Sequence, residues 1–151
     1  MRSIKEDVDF TGHLKIRLNG EVVRDVPNVV VTVGKGFVAT RMAGTTDAVM
    51  SHMAIGTGTT IAGPTQSALT AEHLRLALTS TGGTPDAANT KITYNASFPA
   101  VANQSPTTVA VTEAGIFNAS SSGKMLCRTK FDPVNKGVAD SLAIEWVITI
   151  S

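Results

Sequence analysis

Leu142, Ile144, Trp146, Ile148 and Ile150 alternate with Ala143, Glu145, Val147 and Thr149 at the end of the chain. Successive side chains of a strand point to opposite sides, so this pattern predicts a strand over 142–150 with one face on a core. Two stretches ahead of it, 109–117 and 124–131, read as further strands. The small polar loop 118–123 between them ends in Gly123, as a hairpin connection should. Together the three are expected to form a β-meander that closes a sandwich.

Upstream, Leu14, Ile16 and Leu18 alternate with Lys15 and Arg17, and Asn19-Gly20 is a favoured type I′ turn pair. Residues 13–24 therefore read as a hairpin. The β-branched run Val29-Val-Val-Thr-Val33 predicts another strand. From Gly34 the texture changes. Phe37, Val38, Arg41 and Met42 recur at helical spacing, which predicts one short helix over 35–43 that Gly44 can end. Met53 and Ile55 against His52 and Ala54 predict a strand over 49–56, followed by a loop over 56–64 rich in Gly and Thr. Leu74, Leu76 and Leu78 favour a strand from about Glu72 over a helix beginning near Ala68. After a loop over 82–90, Ile92, Tyr94, Ala96 and Phe98 mark a strand over 91–98, and Pro99 and Pro106 bracket a further loop. About eight short strands and one helix predict a mainly β protein, a single-domain antiparallel β-sandwich over 13–151. Residues 1–12 are charged and lack a period, so they are expected to form an N-terminal arm that orders on contact with a neighbour.

Composition sharpens this picture in two places. A chain of 151 residues with 42% hydrophobic positions holds one domain with one core. Charged residues make up only 17%, below the roughly 25% usual in soluble domains. Thr, Ser, Ala and Gly take their place, a composition that fits burial against other copies or other proteins and equally fits an ordinary neutral β-domain. The net charge of +1, from scattered basic residues, argues against nonspecific nucleic-acid binding. No stretch is long and apolar enough to predict a membrane helix, and the polar opening Met1-Arg-Ser-Ile-Lys-Glu-Asp is not expected to be a secretion signal. Cys127 is the single cysteine, which leaves no internal disulfide and no cysteine-ligated metal site. Its mid-strand position fits buried packing.

Candidate chemistry is sparse. Gly56-Thr-Gly-Thr-Thr lacks the Gly-Lys-Ser/Thr ending of a phosphate loop, and Gly34-Lys-Gly36 lacks the upstream glycine. His13, His52 and His73 share no metal-ligand spacing, although a histidine near a symmetry axis could chelate an ion in an oligomer. No Gly-x-Ser-x-Gly elbow occurs. Glu72, Glu113 and Glu145 lie on strands and could pair across a sheet, but nothing demands that two meet in a cleft for acid-base work. Asn95-Ala-Ser97 and Asn118-Ala-Ser120 fit a glycosylation sequon and are read as coincidental. Trp146, Phe117 and Phe131 fit core packing better than a ligand groove. The expectation is no catalytic residue, no cofactor site and no metal site.

Several stretches resemble, in order, a class of tailed-bacteriophage virion proteins, in particular the tail-collar fibre type of attachment module. They are Asn28-Val-Val-Val-Thr-Val-Gly-Lys-Gly-Phe-Val-Ala-Thr-Arg-Met, Met53-Ala-Ile-Gly-Thr-Gly-Thr-Thr, and Ser67-Ala-Leu-Thr-Ala-Glu-His-Leu-Arg. Thr112-Glu-Ala-Gly-Ile-Phe-Asn-Ala and Asp140-Ser-Leu-Ala-Ile-Glu-Trp-Val-Ile-Thr-Ile follow, so that the resemblance spans 28–150. The Glu-Ala-Gly-Ile-Phe-Asn stretch and the Ala-Ile-Gly-Thr-Gly loop are its most telling parts. The resemblance implies a virion structural protein without enzymatic activity, assembled in the host cytoplasm. Its partners would be other virion proteins of the neck, tail, fibre or capsid. A homo-oligomer is implied, with a trimer as the first expectation. The chain as given stops at Ser151 without a fibre shaft and begins with an added hairpin, which favours a short collar, neck or tail adaptor over a receptor-binding fibre. The alternative is a capsid decoration protein on the head shell. A carbohydrate-binding or hydrolytic sandwich would need an aromatic platform or a carboxylate pair, and the chain has one Trp and one Tyr.

Overall fold

The computed structural model describes residues 8–44, 46–100 and 106–151. In chain order its strands are β1 (Phe10–Leu18), β2 (Glu21–Pro27), β3 (Val29–Val30), β4 (His52–Gly56), β5 (Glu72–Ala77), β6 (Thr84–Pro85), β7 (Lys91–Phe98), β8 (Val109–Phe117), β9 (Met125–Lys136) and β10 (Leu142–Ile150). Helix α1 (Thr32–Met42) lies between β3 and β4. Two antiparallel five-stranded sheets result, one ordered β2-β1-β10-β7-β6 and the other β3-β9-β8-β4-β5. The mainly β sandwich with one short helix is therefore the fold.

The first sheet follows directly from alternation. Leu14 and Ile16 of β1, Tyr94, Ala96 and Phe98 of β7, and Leu142, Ile144, Trp146 and Ile148 of β10 all turn inward. They meet Met53, Ile55, Leu74, Ile116, Cys127 and Phe131 of the second sheet. Burying each of these larger side chains contributes about 1.5–3 kcal/mol. Trp146 is fully buried, and its indole Nε1 donates to Asn28 Oδ1 at 2.8 Å. Asn28 sits where the chain turns from β2 in one sheet to β3 in the other. A Cβ on Gly12 would fall 1.6 Å from the same Asn28 oxygen, so only glycine lets the corner close. Arg24 of β2 reaches across and donates to the carbonyls of Asp132 and Pro133 on β9. On the other side, Leu78 N donates to Ser51 O and Thr79 N to Asn95 O as the chain leaves β5 for the first sheet.

Several expectations need correction. The last three strands are not one meander: β8 pairs with β9, but β10 crosses to the first sheet and lies between β1 and β7. Its single buried face suits a sheet whose other side meets water. The strand over 29–33 stops at Val30, and the helix starts at Thr32 instead of 35. Gly34 is thus inside α1 and does not break it. A Cβ there would lie 2.1 Å from Leu126 O, so the missing side chain is what lets the helix rest on β9. β4 begins at His52 instead of 49, and β9 continues past Pro133 to Lys136 through an irregular register opposite Thr112. β1 opens at Phe10, inside the span expected to be an arm, while residues 1–7 lie outside the described residues.

Candidate functional site

The outer face of the second sheet carries a loop of fifteen residues, 57–71, where solvent would otherwise be. Loops of this length without regular structure are unusual in compact domains, and this one is fastened by charge. Glu113 of β8 and Arg128 of β9 both have 0% of their side chains exposed. They are diagonal neighbours, because Gly115 stands opposite Arg128 and Glu113 opposite Lys130. Arg128 Nη2 lies 3.5 Å from Glu113 Oε1.

Each partner also holds the loop. Glu113 Oε1 accepts from Thr70 N at 2.7 Å, and Oε2 accepts from Ala71 N at 3.2 Å. Arg128 Nη2 donates to Thr60 O and to Thr70 Oγ1, and Nη1 donates to Gln66 Oε1. Gln66 in turn accepts from Gly63 N and donates to Ile61 O. Thr112 Oγ1 donates to Gly58 O at 2.6 Å. Arg128 Nε has no hydrogen-bond partner among the described residues. A buried ion pair persists only when further hydrogen bonds complete both ions, and here the loop main chain supplies most of them.

Gly56, which ends β4, and Gly58 of the loop follow from that contact. A Cβ on Gly58 would lie 1.8 Å from Glu113 Oε2, and one on Gly56 would lie 2.5 Å from Ala71 O and 2.9 Å from Glu113 Cγ. The Ala-Ile-Gly-Thr-Gly and Glu-Ala-Gly-Ile-Phe-Asn stretches, some fifty residues apart, are therefore two halves of one contact. Chemically the pair fastens the loop: both ions are closed off from solvent, and their hydrogen bonds go to the protein itself. What the loop offers outward is Ile61, 81% exposed. Beside it a shallow pocket of about 220 Å³ runs between Val29, Ala62 and Lys130.

A second feature lies against α1. A cleft of about 380 Å³ opens between the sheets where β1 starts and β10 ends. Its buried lining includes Phe37, Tyr94, Leu126 and Ile148, and its half-exposed lining includes Phe10, Val38 and Ile150. Arg41 is the single charged residue against it, and Met42, 84% exposed, stands beside it. Burial pushes the Tyr94 hydroxyl up to about 12 and the Cys127 thiol well above its ordinary range, so both stay protonated.

The other residues weighed from sequence are dispersed. His13 Nε2 contacts Asp25 Oδ1 at 2.6 Å on the first sheet, whereas His52 and His73 lie on β4 and β5 of the second. Among the described residues no three His, Cys, Asp or Glu side chains gather as a metal site. Glu72 pairs with Arg75, and Glu145 stands opposite Lys15, so neither joins Glu113. Phe117 is buried, with the Arg75 guanidinium 3.7 Å from its ring centroid. Trp146 and Phe131 are core residues. Asn118 Oδ1 accepts from Lys124 N, a structural task within the β8–β9 loop. Sequence reasoning passed over Arg128 and Thr70. The available signal was a guanidinium directly after the apolar run Met125-Leu-Cys127, one strand away from a mid-strand glutamate.

No family model, curated protein or solved structure matches the chain.

Proposed function

We propose that this chain is a structural subunit of a tailed-bacteriophage particle, an adaptor of the collar, neck or tail-fibre type that works by symmetric assembly and not by catalysis. The observation that carries the reading is the meeting of the two most telling stretches of the resemblance at the Glu113–Arg128 contact. Residues that would be scattered coincidences along the chain instead form one built feature, which supports treating the resemblance as structural kinship. The same feature fastens the loop over 57–71, on which Ile61 stands 81% exposed. Apolar groups fixed on a rigid support suit a permanent contact with another subunit.

The test is quantitative protein analysis of purified particles, with light scattering on the purified chain. An adaptor is present at roughly a dozen copies per particle, as ring-shaped assemblies of this kind require. Hundreds of copies would move it to the head shell as a decoration protein. A monomer at all concentrations that is missing from particles would end the proposal.

A further inference from the structure

We infer that the apolar cleft beside α1 binds one small amphiphile per chain, an alkyl carboxylate whose tail fills the cleft and whose head meets Tyr94 and Arg41. Such a site stands apart from the assembly reading above. Phe37, Val38, Arg41 and Met42, the residues that recur at helical spacing in the sequence, all line the cleft. They therefore share one face of α1, and that face does not close onto the sheets. The space left is about 380 Å³, within the roughly 300–1,000 Å³ of sites that enclose small ligands. A packed interior keeps few voids larger than a water molecule, and apolar walls around a larger one stay wet until something apolar fills it.

Two polar groups select the head. Tyr94 lines the cleft and is only 5% exposed, yet its hydroxyl has no hydrogen-bond partner among the described residues. Buried polar groups nearly always have one, and a protonated phenol offers a donor to whatever enters. Arg41 is the second donor. Its Nη1 donates to the Asp47 carbonyl at 2.9 Å, but among the described residues it forms no ion pair with a carboxylate. The nearby Asp47 carboxylate is taken by Lys124 Nζ and Thr40 Oγ1, at 2.7 Å each. No acidic residue lines the cleft among the described residues. A cationic head would meet only donors and a like charge, and a bare alkane would leave both donors unmet. A carboxylate brings two acceptor oxygens, one for each donor, in charge-assisted hydrogen bonds.

The experiment titrates the full chain with decanoate, decanol and decyltrimethylammonium by calorimetry, each below the concentration at which it forms micelles. Decanoate saturates at one per chain and binds about tenfold or more tighter than decanol, the effect of a hydrogen bond to a charged group. Decyltrimethylammonium binds weakest. Tyr94→Phe and Arg41→Gln each weaken decanoate by about tenfold, and Arg41→Gln leaves decanol unchanged. Val38→Trp, which fills the cleft from a half-exposed position, abolishes binding of both. It also removes the rise in melting temperature that decanoate gives the unaltered chain. No binding, equal binding of decanoate and decanol, or binding untouched by Tyr94→Phe overturns the inference. An oligomer that excludes decanoate and dissociates on Val38→Trp overturns it too, and gives the cleft to a second copy. Tighter binding of an apolar peptide with a free C-terminal carboxylate overturns the small-molecule assignment in favour of a protein tail.

Discussion

Strands β8 and β10 are both nine residues long, yet they solve different problems. β10 alternates buried and half-buried positions along its length, because one side meets the core and the other meets water. β8 is buried at every position except Ala110, because the loop over 57–71 covers its second face. The cover changes which residues the strand can hold. On β10 the polar Glu145 faces outward opposite Lys15, where solvent completes it. On β8 Thr112 and Glu113 are dry, and they persist because Gly58 O, Thr70 N, Ala71 N and Arg128 meet them. A burial pattern without alternation marks a strand with two partners.

The largest expected effect comes from breaking that second partnership. Arg128→Met leaves Glu113 buried without its cation and should cost about 3–5 kcal/mol in urea unfolding. Cleavage within 57–71 under limited proteolysis should rise at the same time. The double variant Glu113→Leu with Arg128→Met recovers only part of the loss, because Thr70 N and Ala71 N then lack their acceptor. Full recovery would mean that the ion pair merely fills space.

Glycines give a sharper and smaller contrast. Gly58→Ala drives a methyl into the Glu113 carboxylate and should cost about 1–3 kcal/mol. Gly36, inside α1, has no atom within 4 Å of an added Cβ. Gly36→Ala should therefore stabilise the protein by about 0.5–1 kcal/mol through helix propensity. Thermal unfolding of the two variants should shift in opposite directions. A shared direction would mean that contact with the loop does not set the choice of glycine.

The same contrast explains what was legible beforehand. β1, β7 and β10 declare themselves by alternation, since water on one face forces polar residues onto it. The fold class followed from that count of strands. Less legible were features fixed by close approach. Gly34 looks like punctuation in one dimension, and only the carbonyl of Leu126 against it reveals a helix contact. The irregular register between Val111 and Glu113 interrupts the alternation of β8, so its pattern does not announce which face holds the glutamate. The crossing of β10 to the first sheet was hidden because a short turn joins strands of one sheet or of two equally well. Of the fastening site, the sequence supplied the motifs and the space between them supplied the meaning.

The smallest expected effect concerns a fastening on the exposed side of the comparison. Asn19 in the β1–β2 turn donates from Nδ2 to Asp140 Oδ1 at 2.8 Å, and its own Oδ1 accepts from Ser141 N. Asp140 Oδ2 also accepts from Gly137 N at 2.7 Å. The hydrogen bond from Asn19, followed by that from Gly137, holds the Asp140 carboxyl below its usual value of 3.8. Asp47 is lowered in the same sense, first by Lys124 and then by Thr40. A carboxyl lowered in the folded state stabilises the fold fully above its unfolded value, and that contribution fades as pH falls through the lower folded value. The protection of the Ser141 amide, its exchange measured against the intrinsic rate at each pH, should therefore fall as pH drops below about 3.8 and the turn loosens, well before global unfolding. Asp140→Asn removes the titrating group and should flatten that dependence while exchange in the core of β10 stays unchanged. If Ser141 in Asp140→Asn still speeds up over this range beyond intrinsic exchange, the proton acts elsewhere, and the turn is held by its backbone geometry instead.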